Sequence, residues 1–139
     1  MKQHLFVDTN VICALYNPKD SLHKKAQTIK TLLKIYNPVV SNFILLEMYT
    51  ILSQRVSKEF AVSFGNRIRE RHTYAIVWIN KKLEDEVWNI FASIKDKNFS
   101  YVDASTLAVM RKEKIKHLLS FDNSFIELQK QFNFKLIGA

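Results

Sequence analysis

Glycine and proline are nearly absent, two of each in 139 residues. That scarcity argues against long linkers and low-complexity tracts. It also leaves no Gly-rich phosphate loop, which argues against nucleoside-triphosphate chemistry. A chain of this length then reads as one domain, residues 1–139, with a real core. The single cysteine, Cys13, cannot form an internal disulfide and fits a reducing cytoplasm. It has no histidine at a recognisable partner position, so it is a poor candidate for a nucleophile. No apolar run approaches a membrane span, and no amino-terminal signal pattern is present. His4, His23, His72 and His117 are scattered without metal-ligand spacing. Acid is scarce as well: thirteen Asp and Glu face twenty-one Lys and Arg, for a formal charge of +8.

The acids that are present occur in telling places. Leu5-Phe6-Val7 reads as a short strand buried on both faces, as in a parallel sheet. Val11, Ile12, Leu15 and Tyr16 then fall at helical spacing, so a helix starts at Thr9 or Asn10. Asp8 stands between them, at the carboxyl end of a strand, where open α/β sheets bind ligands. Asp is also a favoured N-cap, so this one residue has a purely structural reading too.

Further along, Leu22, Ala26, Ile29, Leu33 and Tyr36 predict one helix, with Lys24, Lys25, Lys30 and Lys34 on its solvated face. Asn37-Pro38 ends it, and Val39-Val40-Ser41 is a second strand. The helix from about Asn42 to Arg55 is apolar nearly all round and reads as central and buried. Glu47 sits in its middle with Phe43, Ile44, Thr50 and Ile51 as helical neighbours, so no cation one turn away can pair with it. A buried carboxylate stays ionised when paired or metal-bound; a protonated Glu or a distant Arg partner is the alternative. Lys58 to His72 forms another helix, with Phe60, Ala61, Phe64 and Ile68 inward and Arg67, Arg69 and Arg71 outward. Tyr74 to Ile79 is a third strand. Leu83, Val87, Ile90, Phe91 and Ile94 give a helical stripe to which Trp88 is added. Glu84, Asp85 and Glu86 complement that helix's amino end. Lys95 to Tyr101 interleaves bases and aromatics, a surface on which nucleotides stack, although such aromatics also pin loops to cores. Asp103 opens the next helix, and Ser100-x-x-Asp103 has the form of a capping box. His117 to Phe121 is a fourth strand with Asp122 at its carboxyl end, a helix through Phe125 and Leu128 follows, and Lys135-Leu136-Ile137 is a last short strand.

Strand and helix alternate, which predicts an α/β fold: a three-layer α/β/α sandwich around a parallel sheet of four to five short strands. In that arrangement Asp8, Glu47, Asp103 and Asp122 can converge on one cleft at the carboxyl edge. Carboxylates that converge without lysines between them need a cation to remain ionised. All-oxygen ligation points to Mg²⁺ or Mn²⁺, ions that bridge to substrate phosphates and activate water. With those four drawn into a site, the remaining surface holds nine acids against twenty-one bases. A basic exterior around an acidic pocket suits metal-assisted hydrolysis of a phosphodiester in a bound polyanion.

The chain resembles the PIN-domain ribonucleases, and most of all the toxins of VapBC-type toxin–antitoxin pairs. The likeness covers essentially the whole chain. It rests on Phe6-Val7-Asp8-Thr9-Asn10, Glu47, Val102-Asp103-Ala104 and Phe121-Asp122-Asn123-Ser124-Phe125, in that order and spacing. The resemblance implies that Asp8, Glu47, Asp103 and Asp122 bind Mg²⁺ or Mn²⁺ and cleave single-stranded RNA, leaving a 5′-phosphate. It places Thr9 or Asn10 where a polar residue orients the first carboxylate, with Ser41 as a further supporting residue. It also implies a homodimer silenced by a small antitoxin protein. Lys95, Lys97, Arg67, Arg69 and Arg71 are candidate contacts to the RNA backbone. Tyr101-Val102 ahead of Asp103 is bulkier than in many relatives. Two other readings within the resemblance are a stand-alone RNA-processing nuclease and a scaffold that binds RNA or protein without cutting. A haloacid-dehalogenase-like phosphatase needs a second Asp where Asn10 stands, and a phospho-receiver domain needs an acidic pair at the first strand; neither is present.

Overall fold

In the computed structural model, which describes residues 1–139, five parallel strands form one sheet. They are β1 (His4–Val7), β2 (Asn37–Ser41), β3 (Ala75–Val77), β4 (His117–Leu119) and β5 (Lys135–Ile137), in the order β3-β2-β1-β4-β5. Leu5, Phe6 and Val7 are fully buried, as expected of a central strand covered on both faces. The register pairs Phe6 with Val39 on one side and with Leu118 on the other. Pro38 is tolerated next to β1 because pairing of β2 with β3 begins only at Val39.

Eight helices connect the strands: α1 (Thr9–Tyr16), α2 (His23–Ile29), α3 (Leu32–Ile35), α4 (Asn42–Arg55), α5 (Lys58–Arg71), α6 (Lys81–Ser93), α7 (Tyr101–Glu113) and α8 (Gln129–Phe132). A 3₁₀ segment, Asn123–Leu128, leads into α8. From β1 the chain steps to β2 and β3 in one direction, then crosses back to β4 and β5 in the other. Right-handed crossovers therefore put α1 to α5 on one face and the later helices on the other. The packing of α1 on α4, α4 on α5, and α6 on α7 agrees. The direction of winding reverses between β1 and β4, and that switch point is where such sheets open a crevice for ligands.

Several expectations need correcting. The stripe from Leu22 to Tyr36 is not one helix: it breaks at Lys30 and Thr31, giving α2 and the single turn α3. The third strand is Ala75–Val77 alone, with Trp78 turned to solvent. Trp88 is exposed rather than part of the packed stripe, which is carried by Leu83, Val87 and Ile90. The helix buried all round is α7, whose residues from Asp103 to Met110 are all buried. Its Ser105 and Thr106 hydroxyls bond back to the Val102 carbonyl, so these polar residues sit in the core at little cost. By contrast α4 buries Ile44, Leu45, Met48 and Leu52 and leaves Leu46 exposed. In the basic–aromatic loop, Phe99 is buried and meets Phe125 edge to face at 5.8 Å. It pins the loop and offers no free face to a base.

Candidate active site

Each carboxylate is placed by a local structure that its own sequence dictates. Asp8 ends β1 and caps α1; its Oδ1 accepts from the Thr9 N–H at 2.8 Å. Its Oδ2 accepts from the Ser120 hydroxyl at 2.7 Å. Ser120, fully buried just beyond β4, accepts in turn from the Asp122 N–H at 3.1 Å. Asn10 accepts from the Phe121 N–H at 3.2 Å, and its amide lies 3.5 Å from the Ser120 hydroxyl. These bonds stitch the end of β1 to the end of β4 across the switch point.

Asp103 occupies the third position of α7 in a complete capping box: its N–H donates to Ser100 Oγ, and its Oδ2 accepts from the Ser100 N–H, both at 3.0 Å. Asp122 caps the 3₁₀ segment, its Oδ1 accepting from the Ser124 N–H at 2.9 Å. Glu47 lies in the second turn of α4. It is half-buried rather than enclosed, because the side of α4 that carries it faces a cleft.

That cleft, about 440 Å³, is lined by all four: Asp8, Glu47, Asp103 and Asp122. Thr9, Asn10, Cys13 and Ser100 line it as well. Burial pushes the Asp8 carboxyl up to about 7; the Ser120 hydrogen bond opposes this, and the charges of Asp103 and Glu47 add to it. Asp103 is raised to about 6, again first by burial, with the charges of Asp122 and Glu47 working against the Ser100 hydrogen bonds. Repulsion of this kind is relieved by a cation. The Cys13 thiol in the wall is pushed up to about 12 by burial and by Asp20 and Glu47, so it stays protonated in the metal-free protein. The four carboxylates offer oxygen donors only. No three of these side chains are drawn together tightly enough to enclose an ion by themselves. Oxygen donors of this kind suit a hard divalent cation that keeps part of its water shell. Asp8, Glu47, Asp103 and Asp122 could hold such an ion.

The remaining candidates fall elsewhere. Thr9 serves through its backbone N–H, while its hydroxyl is buried without a partner. Ser41 caps α4, accepting from the Ile44 N–H at 3.2 Å, and does not line the cleft. Lys95 and Lys97 are exposed in the loop between α6 and α7; their neighbour Asn98 reaches the cleft, and they do not. Arg67, Arg69 and Arg71 are exposed on α5 around depressions separate from the carboxylates. Two contributors escaped the sequence reading. Ser120 is one; a hydroxyl two residues ahead of Asp122 becomes meaningful only once β4 is known to lie beside β1. Arg55 is the other, the only cation among the residues lining the cleft.

Residues 5–131 match the PIN domain family. The chain is 34% identical over 123 residues to the 23S rRNA-specific endonuclease VapC20 of Mycobacterium tuberculosis, covering 87% of this chain and 91% of that protein. Its structure is similar to the crystal structure of M. tuberculosis VapC20, described as a Sarcin-Ricin loop cleaving toxin, with a TM-score of 0.79 and 29% identity over 89% of this chain and 94% of the other. The fold also matches FitAcB from Neisseria gonorrhoeae, with a TM-score of 0.68 and 13% identity over 96% of each chain. A carboxylate cleft at the switch point of a five-stranded parallel sheet, together with these similarities, places the chain in the PIN-domain family, a family of nucleases.

Proposed function

We propose that the protein is a divalent-metal-dependent endoribonuclease, the toxin of a toxin–antitoxin pair, which hydrolyses phosphodiesters in unpaired RNA. The observation that carries this reading is the gathering of Asp8, Glu47, Asp103 and Asp122, from four distant segments, into one cleft. The similarity to a ribosomal-RNA endonuclease supports RNA as the polyanion, and a loop cut by that relative supports an unpaired substrate. The basic exterior, +8 overall despite the acidic cleft, would hold the strand.

When bound, a Mg²⁺ or Mn²⁺ ion supplies a Lewis acid that polarises the scissile phosphate and renders water nucleophilic at neutral pH. Asp8, Asp103 and Asp122 would hold that ion; each is fixed by a backbone N–H, and Asp8 also by Ser120. Glu47 makes no hydrogen bond or ion pair to the protein, which leaves it free to orient the attacking water or hold a second ion. The 3′-oxygen leaves, giving a 5′-phosphate end. Two further parts of the reading concern partners. The protein would act as a homodimer, and exposed Trp78 and Trp88 leave apolar surface available to a partner. A small antitoxin protein would silence the enzyme in the cytoplasm, where its RNA lies.

The test is cleavage of a short unpaired RNA and of a hairpin loop by the purified protein with Mn²⁺. Cleavage lost on adding EDTA and in Asp8→Asn is the expected result. Tight RNA binding with no cleavage under Mg²⁺, Mn²⁺ or any other divalent ion would overturn it in favour of a non-cleaving scaffold.

A further inference from the structure

The cleft is lopsided in charge. Five carboxylates line it, the four already described and Asp20, against one cation, Arg55. An RNA strand brought to the floor of such a cleft meets repulsion everywhere except at a bound ion and at that guanidinium. Nothing in the fold employs the guanidinium. The molecule's one ion pair is Lys81–Asp85, on α6, and the Arg55 side chain is exposed rather than packed. Its five N–H donors are free, and their planar fork matches a phosphate.

Its position relative to the acids is set by helix geometry. Glu47, Ile51 and Arg55 follow one another at intervals of four along α4, and all three line the cleft. Four-residue steps keep side chains on one face. Two such steps carry Arg55 about 12 Å along the axis from Glu47. Glu47 is half-buried and Arg55 exposed, so the row leads from the inner part of the cleft toward solvent. Between them Ile51 offers an apolar surface for a sugar or base. The row therefore runs from a carboxylate at the chemistry, through an apolar step, to a phosphate fork further out.

Building on the ribonuclease reading, we propose that Arg55 is a positioning residue that grips a non-scissile phosphate of the RNA, on the solvent side of Ile51 from the cut. It would thereby set where along the strand the acidic floor meets the backbone. Cleavage of an unpaired RNA oligonucleotide by the whole protein with Mn²⁺ tests this, comparing Arg55→Gln and Arg55→Lys with the unsubstituted chain. Arg55→Gln is expected to raise KM about tenfold while kcat stays within about twofold, and Arg55→Lys to recover part of the loss. The same oligonucleotide with one neutral methylphosphonate linkage, moved stepwise along the strand, gives a second readout. One position away from the scissile bond should weaken binding and cleavage by the unsubstituted protein and have no further effect on Arg55→Gln. An unchanged KM in Arg55→Gln, a fall confined to kcat, or neutral linkages that harm both proteins alike would overturn the proposal. Binding to the non-cleaving Asp8→Asn background, followed by fluorescence anisotropy, separates the two ideas. A loss of affinity on adding Arg55→Gln there upholds the phosphate contact even if the unsubstituted protein proves unable to cut, and no loss refutes it.

Discussion

Replacing Asp8 with Asn should destroy cleavage and yet stabilise the metal-free protein at alkaline pH. Asp8 is buried and faces other carboxylates, and its folded-state value of about 7 lies above the ordinary 3.8. A carboxyl raised in this way binds more protons folded than unfolded, so stability falls as pH rises between those two values. The contribution is intact below about 4 and fully lost above about 7. The interval corresponds to roughly 4 kcal/mol for Asp8, and to roughly 3 kcal/mol for Asp103, raised to about 6. The charge of Asp103 is one cause of the Asp8 shift, so the two do not add in full and together stay below about 7 kcal/mol.

The substituted amide would carry no charge. Its oxygen could still accept from Thr9, but its amide hydrogens would confront the Ser120 hydroxyl, at a cost of about 1–2 kcal/mol. At pH 8 the net effect is a gain of roughly 2–3 kcal/mol; at pH 5, where only about a third of the penalty has developed, it is near zero. Urea unfolding in EDTA at both pH values measures this. The variant's midpoint should exceed that of the unsubstituted chain by about 1 M or more at pH 8 and match it at pH 5. If Asp8→Asn instead lowers the midpoint equally at both pH values, Asp8 is not held against its charge, and the electrostatic account of the cleft fails.

Other outcomes follow from the same geometry. Mn²⁺ should raise the thermal midpoint of the unsubstituted protein more at pH 8 than at pH 5, because protons compete for Asp8 and Asp103; calorimetry at fixed ion concentration checks the sign. Ser120→Ala removes the hydroxyl from Asp8 and leaves the Asp122 N–H without its partner. It should cost about 1–3 kcal/mol of stability and about tenfold or more in Mn²⁺ affinity, read by denaturation and by titration calorimetry. Glu47→Gln should lower kcat by at least about a hundredfold while moving stability by no more than about 0.5 kcal/mol, since Glu47 is half-buried and supports nothing. Equal losses of activity and stability in that variant would show Glu47 to be a structural residue.

Local patterns made most of the fold legible. Leu5-Phe6-Val7 ahead of Asp8, the span of α4 from Asn42 to Arg55 and the short strand Lys135–Ile137 all follow from periodicity and breakers in nearby residues. The failures share a physical cause. Trp88 continues an apolar stripe yet faces solvent, and α4 looks buried all round while the truly enclosed helix, α7, carries Ser105 and Thr106 in the core. Burial depends on which helix the topology places between others, and composition does not report that. Likewise the charge of Arg55 in the cleft lies two turns from Glu47, beyond the one-turn neighbours by which helical pairing is judged. Ser120 meets Asp8 only because β4 pairs with β1 across more than a hundred residues.

The sequence offered two readings of Asp8 and Asp103, as residues that cap helices or as metal ligands, and in the geometry of these two and of Asp122 the readings are compatible. Each of the three spends one carboxylate oxygen on a backbone N–H at the start of a helical segment: Oδ1 of Asp8, Oδ2 of Asp103 and Oδ1 of Asp122. A cap fixes the side-chain rotamer, and the helix terminus favours the negative charge. The second oxygen of Asp103 and that of Asp122 accept no hydrogen bond from the protein, while that of Asp8 receives only the Ser120 hydroxyl. Capping thus prepares each carboxylate in orientation and leaves ligand capacity open toward the cleft. Glu47, which caps nothing, is the one acid of the four whose presence in the cleft local structure does not require. A half-buried Glu is at home on any helix, so the case for Glu47 rests on the three acids that share its cleft.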